Sequence, residues 1–312
     1  MKSKLIVNPV SGTDAAPDYL RTINEGLRER VGDMDIVMTV ATGDAARAGE
    51  QAAREGCDHL FVAGGDGTLN EVLNGVASVA GALRRVTFGL IPLGTGNDFA
   101  GALGLPEDVP AAIDILLRGR TLAVDVGVLN ERYFINVSAG GFIAEVSEAV
   151  DPRLKTVAGK LAYLIGGAQV LFDYEPVEVA SRVFGEEGAV VVEREMRMQM
   201  FAVCNSRLVG GGRLIAPYAL IDDGLLDVCL VEAMPMMEFI GLLTRISGGD
   251  HIEDERVHYF RARAAELSFN RTIKVNTDGE VLEASRCHYR ILPRAARFLA
   301  GDAPYTSRRR QK

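Results

Sequence analysis

Three glycine-rich turns, Asn8-Pro9-Val10-Ser11-Gly12, Gly64-Gly65-Asp66-Gly67-Thr68 and Gly94-Thr95-Gly96-Asn97-Asp98, constrain this chain more than any other feature. Each follows a short apolar run: Leu5-Ile6-Val7, residues 60–63 and residues 86–92. Between the runs, apolar residues recur at helical spacing. They are Leu20, Ile23, Leu27 and Val31, then an Ala-rich stretch opened by Gly43-Asp44, then Leu69, Val72, Leu73 and Val76. Pro17 suits a first helical turn. Residues 36–40 and 122–128 read as further strands, the latter after two short helical segments. This alternation over residues 1–128 predicts a parallel sheet covered by helices on both faces. Loops leaving the carboxyl ends of such strands gather on one edge, where ligands bind. Glycine there lets the backbone approach a ligand, and the following helix offers unpaired N–H groups to an anion. One such loop is an ordinary tight connection; three after successive strands predict a phosphate cradle.

From about residue 129 the pattern changes. Asn130-Glu131 sits between two strand-like runs, as a hairpin requires, and residues 154–172 read as the longest helical piece. Strand-like runs follow at 177–184, 190–204 and 225–232, with several short strands over 257–292. A GEEG turn separates the first two, and a helix over 235–247 interrupts the series. Such β runs, with turn signals every 8–12 residues or so, predict an antiparallel sandwich. The fold class expected is therefore an N-terminal α/β nucleotide-binding domain followed by an all-β sandwich domain.

With 34 basic and 42 acidic residues the chain carries a net charge of −8, which argues against a nucleic-acid binder relying on a broad basic surface. Cys57, Cys204, Cys229 and Cys287 form no C-x-x-C pair, and the four histidines add no ligand spacing to them. Buried thiols in a reduced, cytoplasmic protein are the expectation. The start has too short an apolar core for a signal peptide. The longest apolar stretch, residues 161–172, falls short of the roughly 20 residues a spanning helix needs, so no transmembrane segment is expected.

No G-x-x-x-x-G-K-[ST] is present, and Gly64-Gly65-Asp66-Gly67 does not fit G-x-G-x-x-G. The strand at 36–40 ends in Ala41-Thr42-Gly43-Asp44 without a compelling acid to hold a ribose. The carboxylates inside the phosphate loops are more telling. An acid beside a polyphosphate repels it unless a divalent cation lies between, and magnesium suits carboxylate and phosphate oxygens. Asp98, just before Phe99-Ala100, is also placed to cap a helix; Asp66, among glycines, is expected to be functional.

These segments, GGDGTLNEVLNG at 64–75 with NPVSG at 8–12 and PLGTGNDFA at 92–100, resemble the diacylglycerol kinase catalytic-domain family, and most of all its bacterial soluble lipid kinases. Asp222-Asp223-Gly224-Leu225 and Asn276-Thr277-Asp278-Gly279-Glu280 extend the resemblance into the second half. It implies an ATP-binding domain over residues 1–128, joined by a returning C-terminal segment at about 293–312. A β-sandwich domain for the lipid substrate, residues 129–292, would face it across a cleft. It implies ATP and Mg2+ as cofactors. Asn8, Pro9, Ser11, Gly12, Thr42, Gly64, Gly65, Asp66, Gly67, Thr68, Asn70, Glu71 and Thr95 would line the ATP site. Asp66 would belong to the magnesium and catalytic network, with Asp98 and Asp125 near it. Glu280 would be the general base on the lipid hydroxyl. The Asp223 side chain, with the carbonyls of Leu220 and Leu225, would hold a second, structural metal ion.

Those roles agree with the chemistry. Phosphoryl transfer depends on positioning and charge neutralisation, and a carboxylate in reach of the alcohol can take its proton, worth about 10²–10⁴ in rate. The tight pair Asp278-Gly279 would hold Glu280 at a rigid strand end, although a plain hairpin with a solvated Glu has the same spacing. Asp222-Asp223-Gly224 is equally a common turn. A peripheral site at the inner membrane face would use Arg153, Lys155 and Lys160, at about 1 kcal/mol per basic residue near an anionic surface. A solvated helix face fits them as well. Thr13-Asp14 and Gly101 stand where relatives often carry basic residues. Met and Leu residues at 234–243 fit a lipid-tail groove or, more commonly, a core. The resemblance thus implies an ATP- and Mg-dependent kinase acting on the hydroxyl of diacylglycerol or a similar lipid. The alternatives are an NAD kinase-like phosphotransferase and a non-catalytic nucleotide- or lipid-binding regulator. Exposed edge strands make a homodimer a reasonable assembly.

Overall fold

The computed structural model describes residues 2–12, 16–118, 120–149, 174–302 and 304–307. All five residues of β1 (Ser3–Val7) are buried. The strand pairs in parallel with β2 (Asp35–Met38) on one side and β3 (His59–Gly64) on the other, and β3 pairs in parallel with β4 (Thr87–Pro92). Strands buried on both faces need helices over them. These are α1 (Ala16–Val31), α2 (Asp44–Arg54), α3 (Asp66–Ala77), the single turn α4 (Ala82–Arg85), α5 (Asp98–Ala102) and α6 (Val109–Arg118). The Ala-rich face of α2, with Ala45, Ala48, Ala52 and Ala53 buried, packs so close to α3 that a Cβ on Gly75 would lie 1.9 Å from the Ala46 carbonyl. Only glycine fits there.

β5 (Thr121–Leu129) turns into β6 (Arg132–Phe134) through Asn130, whose φ of 53° is the left-handed value a tight hairpin needs. The second half is antiparallel: β7 (Val137–Gly141), β8 (Val177–Phe184), β9 (Val190–Cys204), β12 (Leu226–Glu232), β13 (Val257–Ala262), β14 (Ala264–Thr277) and β15 (Glu280–Leu299). β10 (Leu208–Val209) and β11 (Arg213–Leu214) form a separate small ladder. β8 alternates Val177, Val179 and Val183 inward with Glu178 and Arg182 outward, the signature of a sheet with one wet face. Its inner residues join a core containing Phe201, Val228, Leu267 and Tyr289. α7 (Phe142–Ala149) and α8 (Met236–Arg245) help to close another around Phe142, Ala202, Phe239 and Leu242. Phe239 and Leu242 are thus core, as such stripes usually are, while Met237 is 78% exposed.

Two features depart from the sequence reading. Residues 257–292 were expected to hold several short strands, but β14 and β15 are long, 14 and 20 residues. Register shifts between Ser268 and Ile273 and between Leu292 and Ala296 break the period-two pattern, so each long strand reads as fragments. The second shift contains Pro293, which has no N–H to give a ladder, and Arg294 at φ 49°. Beyond it β15 crosses into the first half and pairs in parallel with β4 at Arg297 and Phe298. There Phe298 stacks on Phe88 at 5.1 Å and meets the edge of Phe99 at 5.2 Å. One continuous ladder, β13-β12-β9-β7-β14-β15-β4-β3-β1-β2, therefore joins the two halves. The helix expected at 154–172, with Arg153, Lys155 and Lys160, lies outside the described residues. Among the described residues no helix is long and apolar enough to cross a membrane. The four cysteines are buried and unbridged.

Candidate active site

The three glycine loops meet at the carboxyl edge of β1, β3 and β4. The Asn8 side-chain amide donates to Thr68 Oγ1 at 2.9 Å, tying the first loop to the first turn of α3. Gly12, at φ 79°, passes so close to Leu93 that a Cβ would lie 2.3 Å from its carbonyl oxygen. A Cβ on Gly65 would lie 3.1 Å from Gly94 Cα, so the second and third loops touch backbone to backbone. Asn97, at φ 49°, closes the third loop by accepting from Gly94 N and donating to Gly94 O. The β2–α2 loop joins the edge through Gly43, whose N–H donates to Glu71 Oε2 at 2.9 Å. Thr42 and Thr95 are exposed on this rim, Ser11, Gly12 and Pro9 are half-buried, and Thr68 and Asn70 are buried. Asn70 accepts from Asn74, one turn further along α3.

Two carboxylates converge between these loops. Asp66 accepts the N–H groups of Asp98 and Phe99, both at 3.0 Å, and so caps the first turn of α5. Asp98 does not cap its own helix. Its oxygens accept from Gly211 N at 3.1 Å and Gly212 N at 2.8 Å, both in the loop between β10 and β11. Gly210, Gly211 and Gly212 all have positive φ, a succession that points adjacent N–H groups at one anion. Burial pushes both carboxyls above the ordinary range, against the pull of those amides, and the Asp98 charge adds to the effect on Asp66. Gly96 leaves open the point its Cβ would fill, 3.5 Å from Asp98 Oδ2 and 3.6 Å from Asp66 Oδ2. Two carboxylates facing one gap beside phosphate loops form a donor set that fits Mg2+.

The second half reaches the same place. The Asp278-Gly279 turn between β14 and β15 lies against the second glycine loop: a Cβ on Gly67 would be 3.8 Å from the Asp278 carbonyl, and one on Gly279 4.0 Å from Gly67 Cα. Asp278, at φ 47°, buries its carboxylate among the N–H groups of Ile135 (2.6 Å), Asn136 (3.1 Å) and Val137 (2.7 Å). Burial carries its pKa up to about 7 despite those donors, with Asp66 contributing in the same direction. The turn leads into Glu280, the first residue of β15 and the neighbour of Gly279. Its carboxylate is ion-paired with Arg132 of β6.

Asp125, Asp222 and Asp223 form a separate acidic group. Asp125 accepts from Gly224 N and Arg294 N, and burial carries its pKa to about 6, with Asp223 and Asp222 adding to the rise. Asp222 accepts from the Ser307 N–H and hydroxyl, which fastens the end of the described chain. Asp223 is ion-paired with Arg261 and accepts from Leu225 N at 3.1 Å. The metal expected on Leu220, Asp223 and Leu225 does not fit this arrangement: a guanidinium already neutralises the one ligating side chain. No group of three His, Cys, Asp or Glu able to hold a metal exists among the described residues.

The structure therefore brings Asn8, Thr68, Gly65, Gly67, Asp66, Asp98 and the turn that carries Glu280 to one place and sets the Asp223 group apart. Sequence reasoning missed Arg132, Gly210-Gly211-Gly212 and the anchoring of Asp278. Only the run of three glycines left a visible mark in the sequence.

Comparisons with known proteins show the family. Residues 2–129 match the family model of the diacylglycerol kinase catalytic domain, and residues 136–300 match the model described as the YegS C-terminal NAD kinase beta sandwich-like domain. A protein of Bacillus subtilis (strain 168) named diacylglycerol kinase is 34% identical over 280 residues, covering 89% of each chain. One of the same name from Staphylococcus carnosus (strain TM300) is 35% identical over 279 residues, 89% of this chain and 88% of that one. Two structures from Bacillus anthracis str. Sterne bear the same enzyme name, the first provisionally. The first aligns at TM-score 0.80 and 28% identity, covering 96% of this chain and 95% of that one. The second aligns at 0.73 and 24%, covering 96% and 97%, and speaks to the fold alone.

Proposed function

The chain belongs to the diacylglycerol kinase catalytic-domain family, and we propose that it transfers the terminal phosphoryl group of ATP to the hydroxyl of diacylglycerol or a similar lipid, giving a phosphatidic-acid-type product. One observation carries the reading: the Asp278-Gly279-Glu280 turn of the second half lies on the Gly65-Asp66-Gly67 loop of the first. A turn of one half that carries an acid thus abuts the phosphate cradle of the other, the juxtaposition that transfer to an alcohol requires.

In this reading the rim built from Asn8, Pro9, Ser11, Gly12, Thr42, Gly64, Gly65, Asp66, Gly67, Thr68, Asn70, Glu71 and Thr95 takes ATP. Backbone N–H groups at the start of α3 face its phosphates. Glu280 accepts the proton of the lipid hydroxyl as that oxygen bonds to the terminal phosphorus. The bond from phosphorus to the bridging oxygen breaks, and ADP leaves with its electron pair. Asp66 and Asp98 are the residues that would hold Mg2+, and when bound it neutralises phosphate charge. Their anchoring on amides leaves the negative charge of each available to a cation. The residues 1–128, with the returning segment at 293–312, would serve ATP, and residues 129–292 the lipid. Action at the membrane surface as a peripheral cytoplasmic enzyme, and a homodimer built on an edge strand, belong to the same proposal.

The test is phosphate transfer from labelled ATP to a lipid panel in mixed micelles with Mg2+, and to NAD in parallel, with wild type beside Glu280→Gln. Labelled lipid is expected from wild type and a loss of about 10²–10⁴-fold in the variant. Labelled NAD product without labelled lipid would reassign the acceptor and remove the role given to Glu280.

A further inference from the structure

We infer that Arg132 is a positioning residue for Glu280, holding its carboxylate in place beside the Gly65-Asp66-Gly67 loop for proton transfer. The inference rests on the reading of Glu280 as the general base. Arg132 opens β6 and is ion-paired with Glu280, the first residue of β15. The Arg132 side chain is 48% exposed and that of Glu280 28%, so solvent screens the pair and its value lies in orientation more than in binding strength.

Orientation is what the surroundings supply. The backbone of Tyr133 is held at both ends by one side chain: its N–H donates to Asn74 Oδ1 at 3.0 Å, and its carbonyl accepts from Asn74 Nδ2 at 2.9 Å. Asn74 lies on α3, the helix that begins at Asp66, so the helix behind the phosphate loop also fixes the strand that presents Arg132. β5 fixes the other side, with Leu129 opposite Arg132 and Val128 opposite Tyr133. The chain then continues into Ile135, Asn136 and Val137, whose amides hold Asp278. A single segment, residues 132–137, therefore grips both ends of the Asp278-Gly279-Glu280 turn, one by amides and one by a guanidinium. A free Glu on a strand end would sample several rotamers, and a guanidinium presented by a fixed strand restricts that sampling.

The experiment measures kcat, the KM for ATP and the thermal midpoint for wild type, Arg132→Gln, Arg132→Lys, Glu280→Gln and the double variant Arg132→Gln/Glu280→Gln. Arg132→Gln is expected to lower kcat about 10–100-fold with the KM for ATP and the midpoint unchanged, and Arg132→Lys to recover most of the loss. In the Glu280→Gln background, Arg132→Gln should cost less than about twofold further, because its effect runs through a base already removed. Equal fractional losses in both backgrounds would overturn the inference, as would wild-type kcat in Arg132→Gln. Wild-type kcat in Glu280→Gln has a different signature: it would overturn the assignment of the base, and the inference with it.

Discussion

Replacing Gly96 by alanine separates the site from the fold that carries it. Built on the existing backbone, the new methyl group lies 3.5 Å from Asp98 Oδ2, 3.6 Å from Asp66 Oδ2 and 3.8 Å from the Gly211 amide nitrogen. These are ordinary van der Waals separations, and the backbone here is not left-handed, so nothing must move. Folding stability should change by less than about 1 kcal/mol, if anything upward through a stiffer unfolded chain. Activity should respond differently. Mg2+ binds oxygen at about 2.0–2.1 Å, and a methyl group in contact with both carboxylates would take up room that an ion held by Asp66 and Asp98 would need. Losing one well-placed electrostatic partner costs about 10²–10³ in kcat, or roughly 2.7–4 kcal/mol. The assay is lipid-kinase turnover as a function of Mg2+, with thermal unfolding on the same preparation. The expected outcome is a midpoint within about 3 °C of wild type and turnover at least about 100-fold down, not restored by excess Mg2+. Wild-type turnover would refute the placement of a cation between Asp66 and Asp98.

Other perturbations test other parts of the argument. Gly12→Ala combines a left-handed φ with a Cβ 2.3 Å from a carbonyl oxygen, and it should cost about 1–3 kcal/mol, read as a lowered thermal midpoint; an unchanged midpoint would contradict the close packing on Leu93. Asp278 is near 3.9 when unfolded and about 7 when folded. A raised folded value means stability that is complete below about pH 4 and lost as pH rises towards 7, by roughly 4 kcal/mol at most. Asp278→Asn removes that slope, so its deficit against wild type should narrow between pH 4 and pH 8 in urea titrations, and parallel slopes would refute the burial argument. Chelating divalent cations without nucleotide should leave the wild-type midpoint within about 1 °C, because Arg261 already neutralises Asp223; a drop of several degrees would restore the structural metal.

What could be read in advance was what the chain encodes locally. β1, β3 and β4 are apolar runs punctuated by glycine, and the three loops stand where parallel pairing puts them, because both signals lie within about ten residues. The site itself was legible only as residue types. Asp98 was expected to cap α5, yet Asp66 caps that helix, and Asp98 is held by Gly211 and Gly212, 113 and 114 residues further along. Nothing near Arg132 marks it as a partner of Glu280. The lengths of β14 and β15 were hidden for a related reason: bulges reset the side-chain alternation, and pairing to β7, β5 and β4 sustains strands that the local pattern interrupts.

The acids of the two groups differ in what holds them, and the difference separates chemistry from scaffolding. Asp66, Asp98, Asp278 and Asp125 are each held by backbone amides of another segment: 98–99, 211–212, 135–137, and Gly224 with Arg294. Amides fix a carboxylate in space without cancelling its charge, so it stays available to a cation or a proton, and burial raises its pKa. Asp223 accepts the Leu225 N–H of its own turn and is fixed across the sheet by the Arg261 guanidinium of β13, which ties the approach of β12 to that strand. Glu280 is the informative exception. Its guanidinium partner is half exposed and so screened, and Glu280 alone among these acids has to change protonation state in each proposed turnover. A cation that orients it without burying it leaves its oxygens open to the arriving hydroxyl, which a carboxylate enclosed by amides, as Asp278 is, would not be.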